Sequence, residues 1–320
     1  MLTYRSFSNI DPPSLAAIWR SRVGQAGLAQ PVSADLFEQF VFGKPYFDYE
    51  GLILAFDDDR PVGFAHAAFG PNENRDRIAT EKGVVCIVLV RPDCAEAEVA
   101  EGLLGRSENY LRRNGATVVY GGAVAPLNPF YLGLYGGSQL PGVLESDLVA
   151  RELFHSHGYE EIDRTHLFRR PLVDFRPLVD RYQMQFRRQM VVDVKMDPPA
   201  RTWWEACVTA DFDVTRFEVA RRGDETVLAS ATYRGMEPTG NSPPGRVAGL
   251  LDLEVVPSYR RKGLATFLLG ESFRQFARRG VAIVEAQATG QNPPGLGLCR
   301  KLGMESTEQG VVYSKSLARS

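Results

Sequence analysis

A strand that closes in V-x-P and runs into a helix occurs twice in this chain. The two sites are Val90-Arg91-Pro92 and Val255-Val256-Pro257, 165 residues apart. A second correspondence follows each. Asp147, Ala150, Leu153, Phe154 and Gly158 align with Asn292, Gly295, Leu298, Cys299 and Gly303, 145 residues apart. Such a register implies two copies of one supersecondary plan. The offsets differ by 20 residues, so the first copy carries an insertion; residues 126–145, rich in Gly, Pro and aromatics, fill it. The chain therefore reads as two tandem α+β units, each a mostly antiparallel twisted sheet flanked by helices. The boundary is expected near Pro171, between the strand-like THLFRR and a helix after Asp174, giving units 1–171 and 172–320.

Periodicity sets the elements. In the first half LTYRSF is a strand, and Asp11-Pro12 opens a helix with Leu15, Ile18, Trp19 and Val23 on one face. A short helix covers 34–42, and 51–69 holds two strands around DDDRP. GVVCIVLVRP is apolar enough for a central strand. A helix over 95–113, the strand TVVYGGAV and a helix over 146–157 complete the half. The second half opens with a helix carrying Leu178, Tyr182 and Phe186, then a second over 200–210. A hairpin over 217–233 turns at Gly223-Asp224. LLDLEVVP is the central strand, a long helix follows Gly263, and strand VAIVEAQAT leads to a helix ending at Gly303.

Composition excludes several classes. The net charge of −2 gives no global drive toward nucleic acid or anionic membrane. The pairs Arg187-Arg188 and Arg221-Arg222 lack the interleaved aromatics of a nucleic-acid stripe. No apolar run is long enough to span a membrane and no signal-peptide core opens the chain, so a cytoplasmic location is expected. Cys86, Cys94, Cys207 and Cys299 are scattered, and His155 and His157 point to different sides of a helix, so no metal is expected.

The chemistry lies after LLDLEVV. Arg260, Arg261, Lys262, Gly263, Leu264 and Ala265 sit at a strand-to-helix turn, with Thr266 adding a hydroxyl. A helix start offers unpaired N–H groups and partial positive charge, and diphosphates bind there. Gly263 clears space for close approach to the backbone. The first half has Asp93-Cys94-Ala95-Glu96-Ala97-Glu98 at the same place, with no glycine. Its carboxylates occupy the charge site and repel a diphosphate.

The two elements, VVPSYRRKGLAT and NPPGLGLCRKLGM, resemble the signature of the GNAT N-acetyltransferase superfamily. The first matches V-x-P-x-x-[RQ]-x-x-G-x-[GA] fully. The second matches at Asn292, Leu298 and Gly303, with Gly295, Cys299 and Met304 in place of the family's Ala, Tyr and Phe. The layout is similar to tandem GNAT proteins of the mycothiol synthase type, although no residue here identifies that substrate. The resemblance implies an acetyl-CoA-dependent acyltransferase that moves an acetyl group directly to a small-molecule or peptide amine. It places Leu253, Glu254 and Val255 beside the pantetheine, residues 260–266 around the diphosphate, and Asn292 on the cofactor arm. Cys299 stands where the family's tyrosine protonates the departing thiolate; a thiol can donate weakly, or the residue simply packs. Gln287 replaces an acidic base found in some relatives, which leaves Glu254 and Glu285 as base candidates. Residues 1–171 then keep the fold without the cofactor, and the insertion, with Phe130, Tyr131 and Tyr135, is expected to wall an acceptor site shared between the halves. The alternative is a non-catalytic acyl-CoA-binding or sensing protein.

Overall fold

The computed structural model describes residues 1–236 and 245–317. The first half supplies β1 (Leu2–Ser6), β2 (Leu52–Asp57), β3 (Arg60–Pro71), β4 (Ile78–Val90), β5 (Val118–Gly121), β6 (Val143–Leu144) and β7 (Glu160–Pro171). Its helices are α1 (Pro12–Arg20), α2 (Ala34–Phe37), α3 (Glu96–Arg113) and α4 (Leu148–Ser156). The second half supplies α5 (Arg181–Gln189), β8 (Met190–Met196), α6 (Trp203–Thr209), β9 (Val214–Arg221), β10 (Val227–Met236) and β11 (Arg246–Val255). It continues with α7 (Leu264–Arg278), β12 (Val281–Thr289), α8 (Pro293–Lys301) and β13 (Glu305–Ser316).

All strands belong to one sheet, ordered β1-β2-β3-β4-β5-β13-β7-β12-β11-β10-β9-β8, with β6 also on β13. Hairpin-length links give antiparallel pairs. Both parallel pairs, β4 with β5 and β11 with β12, are joined through a helix, α3 and α7 respectively. Parallel neighbours need such a crossover because the chain must return to the same end of the sheet.

The middle of the sheet is interlocked. β13, from the second half, pairs with β5 of the first through Tyr313↔Gly121 to Ser316↔Val118. β7, from the first half, pairs with β12 of the second through Ile283↔Pro171 to Thr289↔Thr165. The two exchanged strands pair with each other as well. Their side chains follow: Val311 and Tyr313 pack in a first-half core with Leu103, Leu111 and Phe154, while Phe168 packs in the second-half core with Phe217, Leu268 and Phe273. A cut at Pro171 comes at the end of β7, but the sheet has no seam there.

Two local differences from the sequence reading have simple causes. β8 was not expected, although MVVDVKM alternates; as an edge strand its inner face is only half-buried, so the apolar signal is weak. Leu178 lies outside α5, whose first turn is set by Asp180 accepting from the Gln183 N–H.

Candidate active site

β11 and β12 pair in parallel only from Arg246↔Val281 to Gly249↔Glu285. Beyond that point β12 stays with β7 and β11 stays with β10, so a wedge opens between them. Among the described residues the edge of β11 facing the wedge has no strand partner beyond Gly249, although the side chains of Gln139 and Arg260 reach the carbonyls of Leu251 and Val255. Val256 donates its N–H to Leu228 O on β10 at 3.0 Å. Strand alternation then turns the amide and carbonyl of Leu253 toward the wedge. A bulge sits one step earlier: Thr232 faces Asp252 and Tyr233 faces Leu250, leaving Leu251 without a cross-strand partner.

The turn after β11 is shaped for an anion. A short 3₁₀ segment, Pro257–Tyr259, precedes Arg260, whose Nε donates to Val255 O at 2.9 Å. Arg261 and Gly263 both take positive φ, 61° and 87°. Alternating backbone hands aim consecutive N–H groups into one concavity. The Phe267 N–H bonds Gly263 O at 3.1 Å, so the amides of Leu264, Ala265 and Thr266 precede the helical ladder of α7. Glycine is needed at 263 for its φ, and a Cβ there would lie 3.3 Å from Gln183 Nε2. Leu264, Phe267, Leu268 and Phe273 anchor the helix in the core. The cations at 260–262 remain exposed.

The wedge widens into a cavity of about 560 Å³. The second half contributes Leu253, Glu254, Gln287, Asn292 and Cys299; the insertion contributes Pro126, Asn128, Leu132, Gln139 and Leu140. α6 closes one side with Trp204 and Glu205. It is tied to the first half by Trp204 against Tyr46, 4.8 Å between ring centres, and by Lys44 Nζ, which donates to Cys207 O at 3.0 Å and pairs with Asp211 just beyond the helix at 2.5 Å. Charge in the cavity is organised by Arg201, which bonds Asp252 and Glu254 at 2.8 Å each and reaches Glu205 at 3.3 Å. Glu205 also holds Arg216 at 2.8 Å.

The first half has the same wedge in outline. β4 and β5 pair from Lys82↔Val118 to Val85↔Gly121 and then part. Here Leu28, Tyr135, Val143, Asp147 and Phe154 fill the opening, and about 20 Å³ remains. The turn carries Asp93, which Arg91 and Arg60 hold down at about 2 by hydrogen-bonding its carboxylate. α3 begins with Glu96, itself ion-paired to Arg22. Asp147 caps α4 by accepting from Ala150, as Asn292 caps α8 by accepting from Gly295 at 3.0 Å.

Residues 178–304 match the model of the Acetyltransferase (GNAT) family. The second half of this chain is a GNAT domain. No curated protein matches the sequence. Solved structures extend the fold to the whole chain. A tandem GNAT protein from the clavulanic acid biosynthesis pathway aligns over 100% of both chains at 15% identity and a TM-score of 0.67. A GCN5-related N-acetyltransferase from Sphaerobacter thermophilus covers 98% of this chain and 95% of its own, at 17% identity and a TM-score of 0.62. A glucosamine N-acetyltransferase region of a fungal multi-domain GH3 β-N-acetylglucosaminidase covers 98% of this chain at 15% identity and a TM-score of 0.71; the match spans 38% of that protein. At these identities the likeness is one of fold. The fold is tandem GNAT.

Within the GNAT domain the expected site residues separate into groups. Leu253, Glu254, Asn292 and Cys299 face the cavity, and residues 260–266 form the turn beside the wedge. Glu285 does not reach the cavity wall. It is 1% exposed, bound to Arg169 at 2.8 Å and to the Ser138 N–H. Gln287 donates Nε2 to Leu140 O at 2.9 Å, and its Oε1 is buried without a partner. Burial pushes the Cys299 thiol up to about 11. The expected aromatic wall is corrected: Phe130, Tyr131 and Tyr135 turn into the first-half core. Tyr131 stacks on Trp19 and bonds His66 Nδ1 at 3.1 Å, and the Tyr135 hydroxyl accepts from Leu144 N. Large rings gain more from full burial than from a wet cavity wall. Their neighbours Pro126, Asn128, Leu132, Gln139 and Leu140 line the cavity instead. Arg201 and Trp204 were missed, because nothing in the local sequence links them to β11.

Among the described residues no helix is long and apolar enough to cross a membrane, and no cluster of His, Cys, Asp and Glu could hold a metal ion.

Proposed function

We propose that the chain is an acetyl-CoA-dependent N-acetyltransferase acting on the amine of a small molecule or peptide, with the second half binding the donor. The observation that carries this is the continuity of three features: the α7 start, the strand-free edge of β11 and the cavity beyond it. The donor's chemistry suits each in turn. Arg260, Arg261, Lys262 and the amides from Gly263 to Thr266 offer charge and N–H donors to a diphosphate. Leu253, with its amide and carbonyl toward the wedge, and the Val255 amide offer backbone groups to an amide-bearing arm, as a further strand would. Asn292 stands at the lip. The cavity remains for the acceptor.

Bound acetyl-CoA supplies the activated acyl carbon. The protein holds both substrates together, so no acyl-enzyme is needed. Glu254, at the cavity mouth, takes the acceptor's proton directly or through water. Backbone N–H groups on the strand-free edge of β11 face the carbonyl oxygen as it gains charge. Cys299 does not drive the leaving step. A thiol at about 11 gives its proton to an ordinary thiolate near 8.5 only about 3 kcal/mol uphill. Its role is packing, and solvent protonates the released thiolate. The first half, with its filled wedge and paired Asp93, serves as a scaffold that walls the cavity.

One observation favours the second reading, an acyl-CoA sensor: Arg201 engages both carboxylates of β11. Calorimetry with acetyl-CoA, followed by thiol release across a panel of amines, decides between them. Binding at one site with turnover supports the transferase. Binding without thiol release from any amine supports the sensor.

A further inference from the structure

The loop 137–140 of the first half is fastened onto the walls of the second half's wedge. Arg234, 3% exposed on β10, donates Nη2 to Gly137 O at 2.6 Å and Nε to Ser138 O at 3.1 Å. Ser138 donates its N–H to the Glu285 carboxylate on β12, which Arg169 holds from β7. Gln287, also on β12, donates to Leu140 O at 2.9 Å. Only glycine permits this approach at 137, since a Cβ there would lie 2.0 Å from Glu285 Oε1. Hydrogen bonds involving a charged group are stronger than neutral ones, and a buried guanidinium left without acceptors is costly. The loop is therefore a fixed part of the second half's architecture.

From that fixed loop one side chain reaches back. Gln139 Nε2 donates to Leu251 O at 2.6 Å. Leu251 is the bulged residue of β11, passed over between Leu250 and Asp252 in the pairing with β10. Its carbonyl looks into the wedge, and Gln139 lines the cavity. Bulges aim backbone groups beside active sites, but an unpaired bulge has a soft direction.

We propose that Gln139, supplied by the first half, is a positioning residue for the second half's active site: it fixes the bulge at Leu251 and so sets the direction of the Leu253 amide and carbonyl that face the donor. This rests on the transferase reading above. It also gives the first half a chemical duty beyond enclosing the cavity. Gln139 itself touches β11, and it acts on the reaction only through the strand.

The test uses the full chain with Gln139→Met, which keeps volume and removes the donor, and Gln139→Glu, which turns an acceptor toward Leu251 O. Amide exchange is measured between Leu250 and Glu254, with α7 as an internal reference. Loss of one hydrogen bond should lower protection there about tenfold in Gln139→Met, and further in Gln139→Glu, with α7 unchanged. Acetyl-CoA affinity, set mainly by the α7 turn, should stay within about twofold. Thiol release with an active amine should fall roughly 10–100-fold in kcat, as misplacement by a fraction of an ångström does, with the donor KM unchanged. Unaltered exchange in β11 would overturn the proposal. So would altered exchange with unaltered kcat, because Gln139 would then fasten the halves and nothing more. If the wild type neither binds acetyl-CoA nor releases thiol, the transferase reading fails and takes the positioning role with it; the exchange difference would still show whether Gln139 holds the bulge.

Discussion

The two wedges of this sheet start from one plan and differ in what occupies them. In the second half about 560 Å³ stays open between β11, β12 and the insertion; in the first half Tyr135, Val143, Leu28 and Asp147 leave about 20 Å³. The turns differ in the same sense. Arg261 and Gly263 form a concavity of N–H groups, whereas Asp93 is already satisfied by Arg91 and Arg60. On the proposed reading, a repeated plan gives up its donor site when its cleft is filled from within and an internal anion is supplied, with the strands unchanged. The first half carries walls and fastenings of the second-half cavity.

The harshest way to break the comparison is to separate the halves. Residues 172–320 alone lack β7, so the Ile283–Thr289 edge of β12 and the Glu305–Ser314 edge of β13 lose their shared partner. The fragment should give no cooperative unfolding transition and no acetyl-CoA binding. A folded, binding fragment, seen by circular dichroism and calorimetry, would show that the exchange of strands is dispensable.

Next in size is reopening the first wedge. Tyr135→Ala removes a buried ring and should cost about 3–5 kcal/mol of stability by the cavity it leaves. Tyr131→Ala should cost a similar amount. Denaturant unfolding measures both. Neither variant should bind a second acetyl-CoA, because Asp93 and Glu96 still hold the turn, and acceptor kinetics should be unaltered. A changed acceptor KM would contradict the burial of these rings in the first-half core.

Smaller again is Gly263→Glu. A carboxylate placed at the α7 start, at φ 87°, should weaken acetyl-CoA by about 100-fold or more, roughly 3 kcal/mol. The mirror change, Asp93→Asn, should leave affinity within about twofold. Equal effects from the two would erase the distinction between the turns.

The smallest effect is expected at Cys299. Cys299→Ala should keep kcat within about threefold and lose about 1 kcal/mol of packing. A large loss of kcat with binding intact would make the thiol catalytic. Its titration adds a pH signature. The folded-state value is raised to about 11, so the neutral thiol's contribution is complete below the unfolded value near 8.5–9 and disappears as pH climbs through about 11. The stability advantage of wild type over Cys299→Ala should shrink across that interval and reverse as pH approaches about 11.

Much of this was legible from residues alone. The V-x-P repeat and the 20-residue discrepancy located the sheet plan and the insertion, because strand ends, glycine turns and helix caps are local signals. The strand-to-helix turn with its glycine was legible for the same reason: RRKGLA is contiguous. What could not be read were pairings made across the chain. Arg201 meets Asp252 and Glu254 from some fifty residues away, and Gln139 meets Leu251 from more than a hundred. The destination of Phe130, Tyr131 and Tyr135 was also hidden. Aromatic content in a loop shows that burial is needed, but the partner core, here Trp19 and His66, belongs to distant elements. The exchange of β7 and β13 was equally invisible, since either strand would satisfy either sheet by its alternation.

The interlocked strands also fix a schedule for synthesis. As the chain emerges from the ribosome, β1 to β5 appear early, yet the partner of β5 is β13, separated from it by nearly two hundred residues. Until residues 305–316 are made, the first sheet ends in a bare edge of Val118–Gly121, and β7 has neither of its neighbours. Pairings this far apart in sequence form slowly, because loop closure comes before any contact rewards it. Open strand edges in the interval are sites for pairing with other nascent chains. A sheet closed by β13 must therefore be protected until that strand is made, and its yield in a cell should depend on chaperone supply more steeply than that of a single unit of the same sheet.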